Sequence, residues 1–301
     1  MKKIVVTGAN GFIGKNLIKR LLLDECRIYA VYRKKEHMLF ADCRNVVNIE
    51  CDLNQICNLA DLIHEDADVF YHLAWDGSTG EKRGSYSLQL ANAGYVCQAA
   101  EISKKIGCKR FISTGTIAEK LVPFCIQNHY TSDKMAYAIA KSTAHMLLNT
   151  VCSCQGIDYC WVQLSNIFGG DNTNGNLISY TVHSFKKGIV PEYGPCNQPY
   201  DFLYIKDAIE GLVKIAFSHH CSNEYFMGSG QPGILKEYIL SIAKKYKAQA
   251  GIGLREADGL EYQMEWFDSQ KLRDEIGFVP YYSFESAVDE MIKEEEQHAV
   301  I

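Results

Sequence analysis

Short apolar runs alternate with longer stretches of helical spacing along the first half of the chain. The helical stretches are longest at Gly80–Ile106 and Ser132–Cys154. The apolar runs predict six strands, at Lys3–Thr7, Arg27–Tyr32, Val46–Cys51, Val69–Leu73, Arg110–Thr114 and Asp158–Leu164. Buried strands that alternate with helices are typical of an α/β protein with a Rossmann-type, doubly wound parallel sheet and right-handed crossovers.

The pattern loosens after Asn166. A loop at 169–175 precedes a predicted strand at Asp201–Ile205 and predicted helices at Leu177–Lys187, Asp207–Phe217, Leu235–Lys247 and Ser283–Gln297. We therefore expect a Rossmann domain over residues 1–165 and a smaller C-terminal α/β substrate region over 166–301, part of which returns to the first domain. Ligands of open parallel sheets bind beyond the carboxyl ends of the strands.

A glycine-rich turn joins the first predicted strand to the first helix. Gly8, Gly11 and Gly14 have the spacing Gly-x-x-Gly-x-x-Gly, which differs from the Gly-x-Gly-x-x-Gly of the common dehydrogenase fingerprint. An ordinary tight turn can show the same triplet. Its place between a strand and a helix, before further βα units, favours a site for a dinucleotide pyrophosphate, because a helix N-terminus presents unpaired N–H groups and a positive dipole.

A tyrosine and a lysine share one face of the second long helix. Tyr137 and Lys141 are four residues apart, so the phenol and the ammonium point the same way. A nearby ammonium favours the phenolate, and we therefore expect Lys141 to lower the pKa of Tyr137 and to make it an acid/base. The alternative is a surface Tyr–Lys pair without a function.

Composition narrows the class of protein. The 301 residues are 47% hydrophobic and carry a net charge of −5, so nothing favours binding to nucleic acid or to an anionic membrane. The apolar run Ile4–Val6 stops at Thr7, which does not fit a signal peptide, and we expect a cytoplasmic protein. The twelve cysteines include no Cys-x-x-Cys pair, so we expect no metal site.

These motifs together resemble the extended short-chain dehydrogenase/reductase family of NAD-dependent epimerase/dehydratase type, the branch that modifies nucleotide-activated sugars. The resemblance covers nearly the whole chain. It is carried by Thr7–Gly14, Cys51–Leu53, His72–Trp75, Asn92–Gly94, Ser113–Thr116, Tyr137 with Lys141, Ser165–Gly169 and Asp201–Asp207. It implies cofactor contacts from Gly8, Asn10, Gly11, Phe12, Ile13, Gly14, Tyr32, Arg33, Asp52, Leu53, Leu73, Ala74, Trp75, Asn92, Tyr137, Lys141 and Leu164.

The resemblance also implies catalytic roles for Thr114, Tyr137 and Lys141. Tyr137 would exchange a proton with the oxygen at the reacting sugar carbon, Thr114 would hydrogen-bond that oxygen, and Lys141 would hold the nicotinamide ribose. Thr116 competes with Thr114 for its role. The implied substrate contacts are Thr114, Thr116, Asn166, Tyr200 and Arg255.

Three departures from the family pattern refine the prediction. Tyr32 stands where an acid often binds the adenosine ribose of NAD, and Arg33 follows it, which favours the 2′-phosphate of NADP over NAD unless this is merely a solvated basic loop. Gly115 and Thr116 replace the Asp-Glu pair of the dehydratases, which argues against dehydration. Tyr200 replaces an arginine that often binds the diphosphate, while Arg255 is a candidate for the later diphosphate contact. Either another cation (Lys186, Lys187 or Lys206) substitutes for the missing arginine, or the substrate is not a nucleoside diphosphate sugar.

We therefore predict an NADPH-dependent reductase of a 4-keto (6-deoxy) nucleotide sugar. A nucleotide-sugar 4-epimerase with tightly bound NAD is the alternative within the same chemistry. A non-catalytic NADP-binding regulator is the alternative from another class. The two long helices resemble those that form a dimer interface in this family, which predicts a homodimer.

Overall fold

The computed structural model describes residues 1–132, 135–170, 172, 176–257 and 262–298. Most of the predicted loop at 169–175, and residues 133 and 134 of the predicted helix Ser132–Cys154, lie outside this range. The strands are β1 Lys3–Thr7, β2 Arg27–Tyr32, β3 Val46–Glu50, β4 Val69–His72, β5 Arg110–Thr116, β6 Tyr159–Leu164, β7 Asn166–Phe168, β8 Glu192–Tyr193, β9 Pro199–Tyr200, β10 Phe202–Tyr204, β11 Glu224–Met227, β12 Gly233–Ile234 and β13 Gly251–Ile252.

The predicted helices lie close to their predicted bounds, and the described residues form three further short helices that were not predicted, Leu59–Leu62, Leu121–Gln127 and Gln270–Ile276. In chain order, the helices are α1 Phe12–Leu22, α2 Leu59–Leu62, α3 Tyr86–Lys105, α4 Leu121–Gln127, α5 Met135–Gln155, α6 Leu177–Lys186, α7 Ile205–Phe217, α8 Leu235–Tyr246, α9 Gln270–Ile276 and α10 Phe284–His298. The predicted helix at Gly80–Ile106 is interrupted, because Glu81–Gly84 forms a separate 3-10 turn before α3 begins. In the described part of the chain, no helix combines the length and the apolar character that crossing a membrane requires.

The main sheet has the strand order β11-β6-β5-β4-β1-β2-β3 among the described residues. The pairs β1–β2, β2–β3, β1–β4 and β4–β5 are parallel. The chain runs outward from β1 to β3 and then returns to the other side of β1, so the topological switch point lies between β1 and β4. The α/β fold with a Rossmann-type sheet is therefore confirmed.

The register brings the carboxyl ends of three strands to one edge. Thr7 pairs with His72, and His72 pairs with Ser113. The residues that follow β1 and β4, and the end of β5, consequently share the edge at which parallel sheets bind ligands.

An apolar cluster fixes the two long helices against this sheet. Phe70 and Phe111 contact each other on neighbouring strands with ring centroids 5.6 Å apart. Val96 of α3 and both Ala144 and Leu148 of α5 are fully buried in the same cluster. The face of α5 that carries Tyr137 and Lys141 is therefore held in a fixed orientation.

The chain divides into two compact units. The first contains Met1–Gln163 and Leu212–Tyr225, and the second contains Leu164–Gly211 and Phe226–Ile301. The second unit is built on short strand pairs, among them the parallel pair β7–β10. Its core is aromatic, with Phe168, Phe202 and Phe284 in mutual contact.

Candidate active site

The glycine turn leaves no room for side chains. Gly8 has a φ of +70°, and a Cβ on it would lie 2.8 Å from the backbone N of Ala74. A Cβ on Gly14 would collide with the carbonyl oxygen of Gly8. Gly11 is the N-cap of α1 and provides no side-chain cap, so no capping side chain competes for the N–H groups at the start of the helix. This shape fits the pyrophosphate of a dinucleotide.

Buried polar contacts lock the strand ends beside that turn. Thr7 Oγ1 lies 3.0 Å from His72 Nδ1 and accepts from the backbone N of Ala74 at 3.4 Å. Burial lowers the pKa of His72 to about 3, so the imidazole is neutral. Because Ser113 Oγ also donates to the carbonyl of His72 at 3.1 Å, β1, β4 and β5 are tied together where the site is built.

Two buried amides shape the loop that follows β4. Gln89 accepts from Trp75 Nε1 at 2.8 Å and donates to the carbonyls of Gly77 and Lys82 at 2.8 and 3.0 Å. Asn92 forms two hydrogen bonds with the backbone of Asp76, at 2.9 and 3.1 Å. The side chain of Asn92, which the sequence assigned to the cofactor, thus holds this loop in the structure.

The chain at the end of β2 places Arg33 beside two carboxylates. Tyr32, the last residue of β2, is fully buried. The half-exposed Arg33 guanidinium lies 3.2 Å from the carboxylate of Asp76 and 3.8 Å from that of Asp52. A 2′-phosphate at Arg33 would therefore have to share the guanidinium with two carboxylates.

Tyr137 is enclosed by four side chains of the first unit. Its hydroxyl is hydrogen-bonded to the hydroxyl of Thr116, and its ring meets Trp75 edge-on at a centroid distance of 5.9 Å. The Arg83 guanidinium lies over the ring, 4.1 Å from its centroid. The Lys141 ammonium is farther away, at 6.0 Å from the same centroid.

Lys141 is turned toward β5 and the loop after β4. Its Nζ donates to the carbonyl oxygen of Thr114 at 2.7 Å and lies 3.8 Å from the centre of the Trp75 ring. Burial lowers the pKa of Lys141 to about 7, while the negative charge of Glu119 opposes that shift. The structure thus brings Thr114, Thr116, Tyr137 and Lys141 together, each with a different partner.

The expected lowering of the Tyr137 pKa by Lys141 is wrong for this structure. Burial raises the pKa of Tyr137 to about 12, Arg83 and the Thr116 hydrogen bond counteract the rise, and Glu119 adds to it. The physical reason is that the cost of desolvating a phenolate exceeds the stabilisation from cations at these distances. The phenol consequently carries its proton at neutral pH.

A buried carboxylate supports the end of β5. Glu119 accepts from the backbone N of Thr116 at 2.7 Å, from Trp161 Nε1 at 3.2 Å and from Gln163 Nε2 at 3.0 Å. Its carboxylate also lies 3.3 Å from His145 Nδ1. A Cβ on Gly115 would collide with the Glu119 carboxylate and lie 2.7 Å from Trp161 Cε2, so glycine is required there.

Sequence reasoning missed Arg83, Gln89 and Glu119. The Thr116-x-x-Glu119 spacing is that of a capping box, and the structure shows that box, so this signal was available. Arg83 and Gln89 gave no signal, because only the folded loop brings them to Trp75 and Tyr137.

Candidate substrate residues of the second unit have structural partners within it. Asn166 Nδ2 donates to the carbonyl of Asp201 at 3.0 Å, and Arg255 Nε lies 3.6 Å from Glu192. The Tyr200 ring contacts the Phe202 ring at a tilt of 47°, with their centroids 4.9 Å apart. Two of the alternative cations are also paired, Lys186 with Glu295 at 2.8 Å and Lys206 with Glu290 at 2.9 Å. Substrate contacts from these residues stay a prediction.

Comparison with known proteins identifies the class. Residues 4–225 match the NAD dependent epimerase/dehydratase family. The chain is 24% identical to CDP-abequose synthase of Salmonella muenchen over 98% of both chains. It is 26% identical to the dTDP-6-deoxy-L-talose 4-dehydrogenase (NAD(+)) of Aggregatibacter actinomycetemcomitans, over 81% of this chain and 93% of that one.

Solved structures share the fold along the whole chain. The UDP-N-acetylglucosamine 4-epimerase of Methanobrevibacter ruminantium, in complex with UDP-N-acetylmuramic acid, superposes with a TM-score of 0.82 at 22% identity and covers 99% of both chains. A UDP-glucuronic acid 4-epimerase mutant of Bacillus cereus, in complex with NAD and a fluorinated UDP-sugar, gives a TM-score of 0.81 at 19% identity and covers 98% of this chain and 99% of its own.

The protein is thus an NAD(P)-dependent enzyme of the nucleotide-sugar-modifying, extended short-chain dehydrogenase/reductase class. In particular, it belongs to the NAD dependent epimerase/dehydratase family.

Proposed function

We propose that this protein reduces the 4-keto group of a 6-deoxy nucleotide sugar, with NADPH as the preferred reductant and Tyr137 as the proton donor. The names of its relatives support the position of the reaction, since one is a 4-dehydrogenase of dTDP-6-deoxy-L-talose and another is a 4-dehydrogenase of GDP-6-deoxy-D-talose. Reduction of a 4-ketone is the reverse of such a dehydrogenation.

The observation that carries the proposal is the packing around Gly115. The dehydratases of the resembling family place an acid at this position, but here the Glu119 carboxylate and the Trp161 indole occupy the space that its side chain would need. Thr116, in the second of the two positions, is hydrogen-bonded to Tyr137 instead of acting as an acid. The site therefore has a proton donor for the ketone oxygen and no carboxyl group in either dehydratase position.

The protonation state of Tyr137 suits reduction. A phenol with a pKa raised to about 12 enters the reaction as an acid and donates its proton to the oxygen that becomes the hydroxyl. Thr116 hydrogen-bonds the phenol. Thr114 lies two residues earlier on β5, so its side chain projects from the same face of the strand and would orient the same oxygen. NADPH, when bound along the glycine turn, would supply the hydride.

Arg33 is the proposed determinant of NADP preference. Its guanidinium can form a charge-assisted contact with a 2′-phosphate, but Asp52 and Asp76 already pair with it. This pairing favours the second candidate, a nucleotide-sugar 4-epimerase that retains NAD.

We expect Arg33→Ala to lower the NADPH/NADH ratio of kcat/KM at least tenfold, a change of about 1.4 kcal/mol. An unchanged ratio would remove Arg33 from cofactor selection.

The proposed function is tested with the purified protein and 4-keto-6-deoxy sugars linked to dTDP, CDP or GDP. Reductase activity predicts stoichiometric loss of NADPH absorbance and a new hydroxy-sugar in the product. An epimerase would instead contain bound NAD and interconvert two hydroxy-sugars without net redox change.

Tyr137→Phe should abolish turnover while dinucleotide binding persists. If Tyr137→Phe retains full activity, or if no turnover accompanies ligand binding, the catalytic proposal fails and the regulator alternative is favoured.

We propose further that two copies associate through α3 and α5 and that the enzyme works in the cytoplasm. Five large apolar side chains of these helices are exposed: Tyr86, Leu90, Ile139, Met146 and Leu147. Such a surface is typical of an interface between protein chains. All twelve cysteines are free thiols, which suits a reducing compartment.

A further inference from the structure

We propose that Arg83 is the positioning residue that stabilises the phenolate of Tyr137 during proton transfer, because its guanidinium lies directly over the phenol ring. This proposal rests on Tyr137 as the proton donor of the reaction. Lys141 was expected to act on the phenol, but in the folded protein its ammonium is the more distant of the two cations.

The geometry of the two cations separates their roles. The Arg83 guanidinium carbon lies 4.1 Å from the Tyr137 ring centroid, whereas the Lys141 nitrogen lies 6.0 Å from it. Lys141 is engaged with the Thr114 carbonyl and the Trp75 ring, at 2.7 and 3.8 Å. Of the two cations, Arg83 is therefore the one that lies closer to the centre of the phenol ring.

A cation over an aromatic face is selective for the ionised ring. The attraction between a guanidinium and a neutral ring comes from the ring quadrupole, and it grows when the ring carries a full negative charge. Arginine remains protonated throughout the accessible pH range, so this stabilisation is always present. Arg83 therefore favours the phenolate that Tyr137 becomes once it has given up its proton.

The surrounding loop holds Arg83 in this position. Its Nη1 donates to the carbonyl of Ser78 at 3.0 Å, and its backbone N donates to the carbonyl of Gly80 at 3.1 Å. The adjacent carbonyl of Lys82 is fixed by the buried amide of Gln89 at 3.0 Å. A charge that is already oriented needs no rearrangement when the phenolate forms.

Other groups near Tyr137 also affect the stability of its phenolate. From the segment after β5, the carboxylate of Glu119 disfavours the phenolate, and burial disfavours it more strongly. On α5 itself, Lys141 is held by the Thr114 carbonyl. From the end of β5, Thr116 contributes a neutral hydrogen bond. Among the residues that the structure describes, Arg83, on the 3-10 turn before α3, is thus the cation that lowers the pKa of the phenol.

The experiment replaces Tyr137 alone with a difluorotyrosine, whose phenol is more acidic, and follows its ionisation by ¹⁹F NMR in the otherwise native chain. Arg83→Gln should raise the midpoint of the phenol titration by about one pH unit above that of the chain with Arg83. Arg83→Lys keeps a positive charge and should therefore raise the midpoint less than Arg83→Gln does. Lys82→Gln is the matched control, because Lys82 is a mostly exposed neighbour on the same turn, and it should leave the midpoint unchanged. In the native-tyrosine enzymes, the pH profile of kcat should shift in the same direction as the midpoint.

The titration needs neither substrate nor turnover, so its outcome is separate from that of the proposed reaction. An Arg83→Gln protein that is folded by circular dichroism and shows an unchanged midpoint would overturn the proposal. Equal shifts in Arg83→Gln and Arg83→Lys would also overturn it, since they would indicate packing rather than charge. A change in KM alone, with an unaltered pH profile, would mean that Arg83 contacts only the substrate.

Discussion

Lys141 is buried, and desolvation makes the charged form of its side chain unfavourable. Burial lowers its pKa to about 7 from an ordinary value of 10.5, so between these pH values the unfolded chain binds more protons than the folded one. The free energy of unfolding therefore rises with pH in this window. Compared with Lys141→Met, the wild-type protein should gain up to about 1.4 kcal/mol of stability per pH unit there.

Urea unfolding of the wild-type protein and Lys141→Met at several pH values between 7 and 10.5 measures this difference. Lys105→Met, which changes an exposed lysine near the end of α3, is the control and should run parallel to the wild type. Parallel curves for Lys141→Met as well would show that the buried ammonium keeps its ordinary proton affinity.

Glycine is required at position 115 because of the neighbouring side chains and not because of its backbone conformation. A methyl group there would press on the Trp161 indole and the Glu119 carboxylate, both of which are buried. We expect Gly115→Ala to lower the free energy of unfolding by about 1–3 kcal/mol, the usual cost of overpacking. Gly94→Ala is the matched control, because its Cβ would meet no atom within 4 Å, and it should be neutral or stabilising in the same urea titration. Equal stabilities of the two variants would refute the packing argument.

At the scale of elements, the start of α1 depends on a close backbone approach. A Cβ on Gly14 would meet the carbonyl oxygen of Gly8 and lie 3.2 Å from Ala9 Cα, so Gly14→Ala should open the turn. We expect at least a tenfold weaker affinity for NADPH, about 1.4 kcal/mol, measured by isothermal titration calorimetry. Gly94→Ala again serves as the control, and unaltered affinity in Gly14→Ala would exclude this turn from the dinucleotide site.

At the scale of the whole molecule, the exposed side chains of α3 and α5 predict association. Leu90 and Met146 are each 62% exposed, and a charge at both positions would oppose burial in an interface. Leu90→Glu combined with Met146→Glu should yield monomer in sedimentation equilibrium at micromolar concentration. Leu23→Glu, at another exposed leucine, should leave the assembly unchanged. A wild-type protein that sediments as monomer would disprove the predicted dimer.

The sequence by itself determined the class of enzyme and six of the seven strands that the main sheet has among the described residues, whereas the edge strand β11 was not predicted. Apolar runs, glycine spacing and the Tyr137–Lys141 interval are local signals, because a strand, a tight turn and a helix face each depend on residues close in the chain. The strands β1 and β2 match their predicted bounds, and the family match confirms the class.

Only the tertiary structure decided which charges act on which groups. Arg83 reaches Tyr137, and Arg33 reaches Asp76, across long intervals of sequence. The pKa of Tyr137 rises instead of falling, because burial depends on all the elements packed around the ring and on no single interval. Desolvation and long-range Coulomb interactions are properties of the folded arrangement, and no spacing along the chain encodes them.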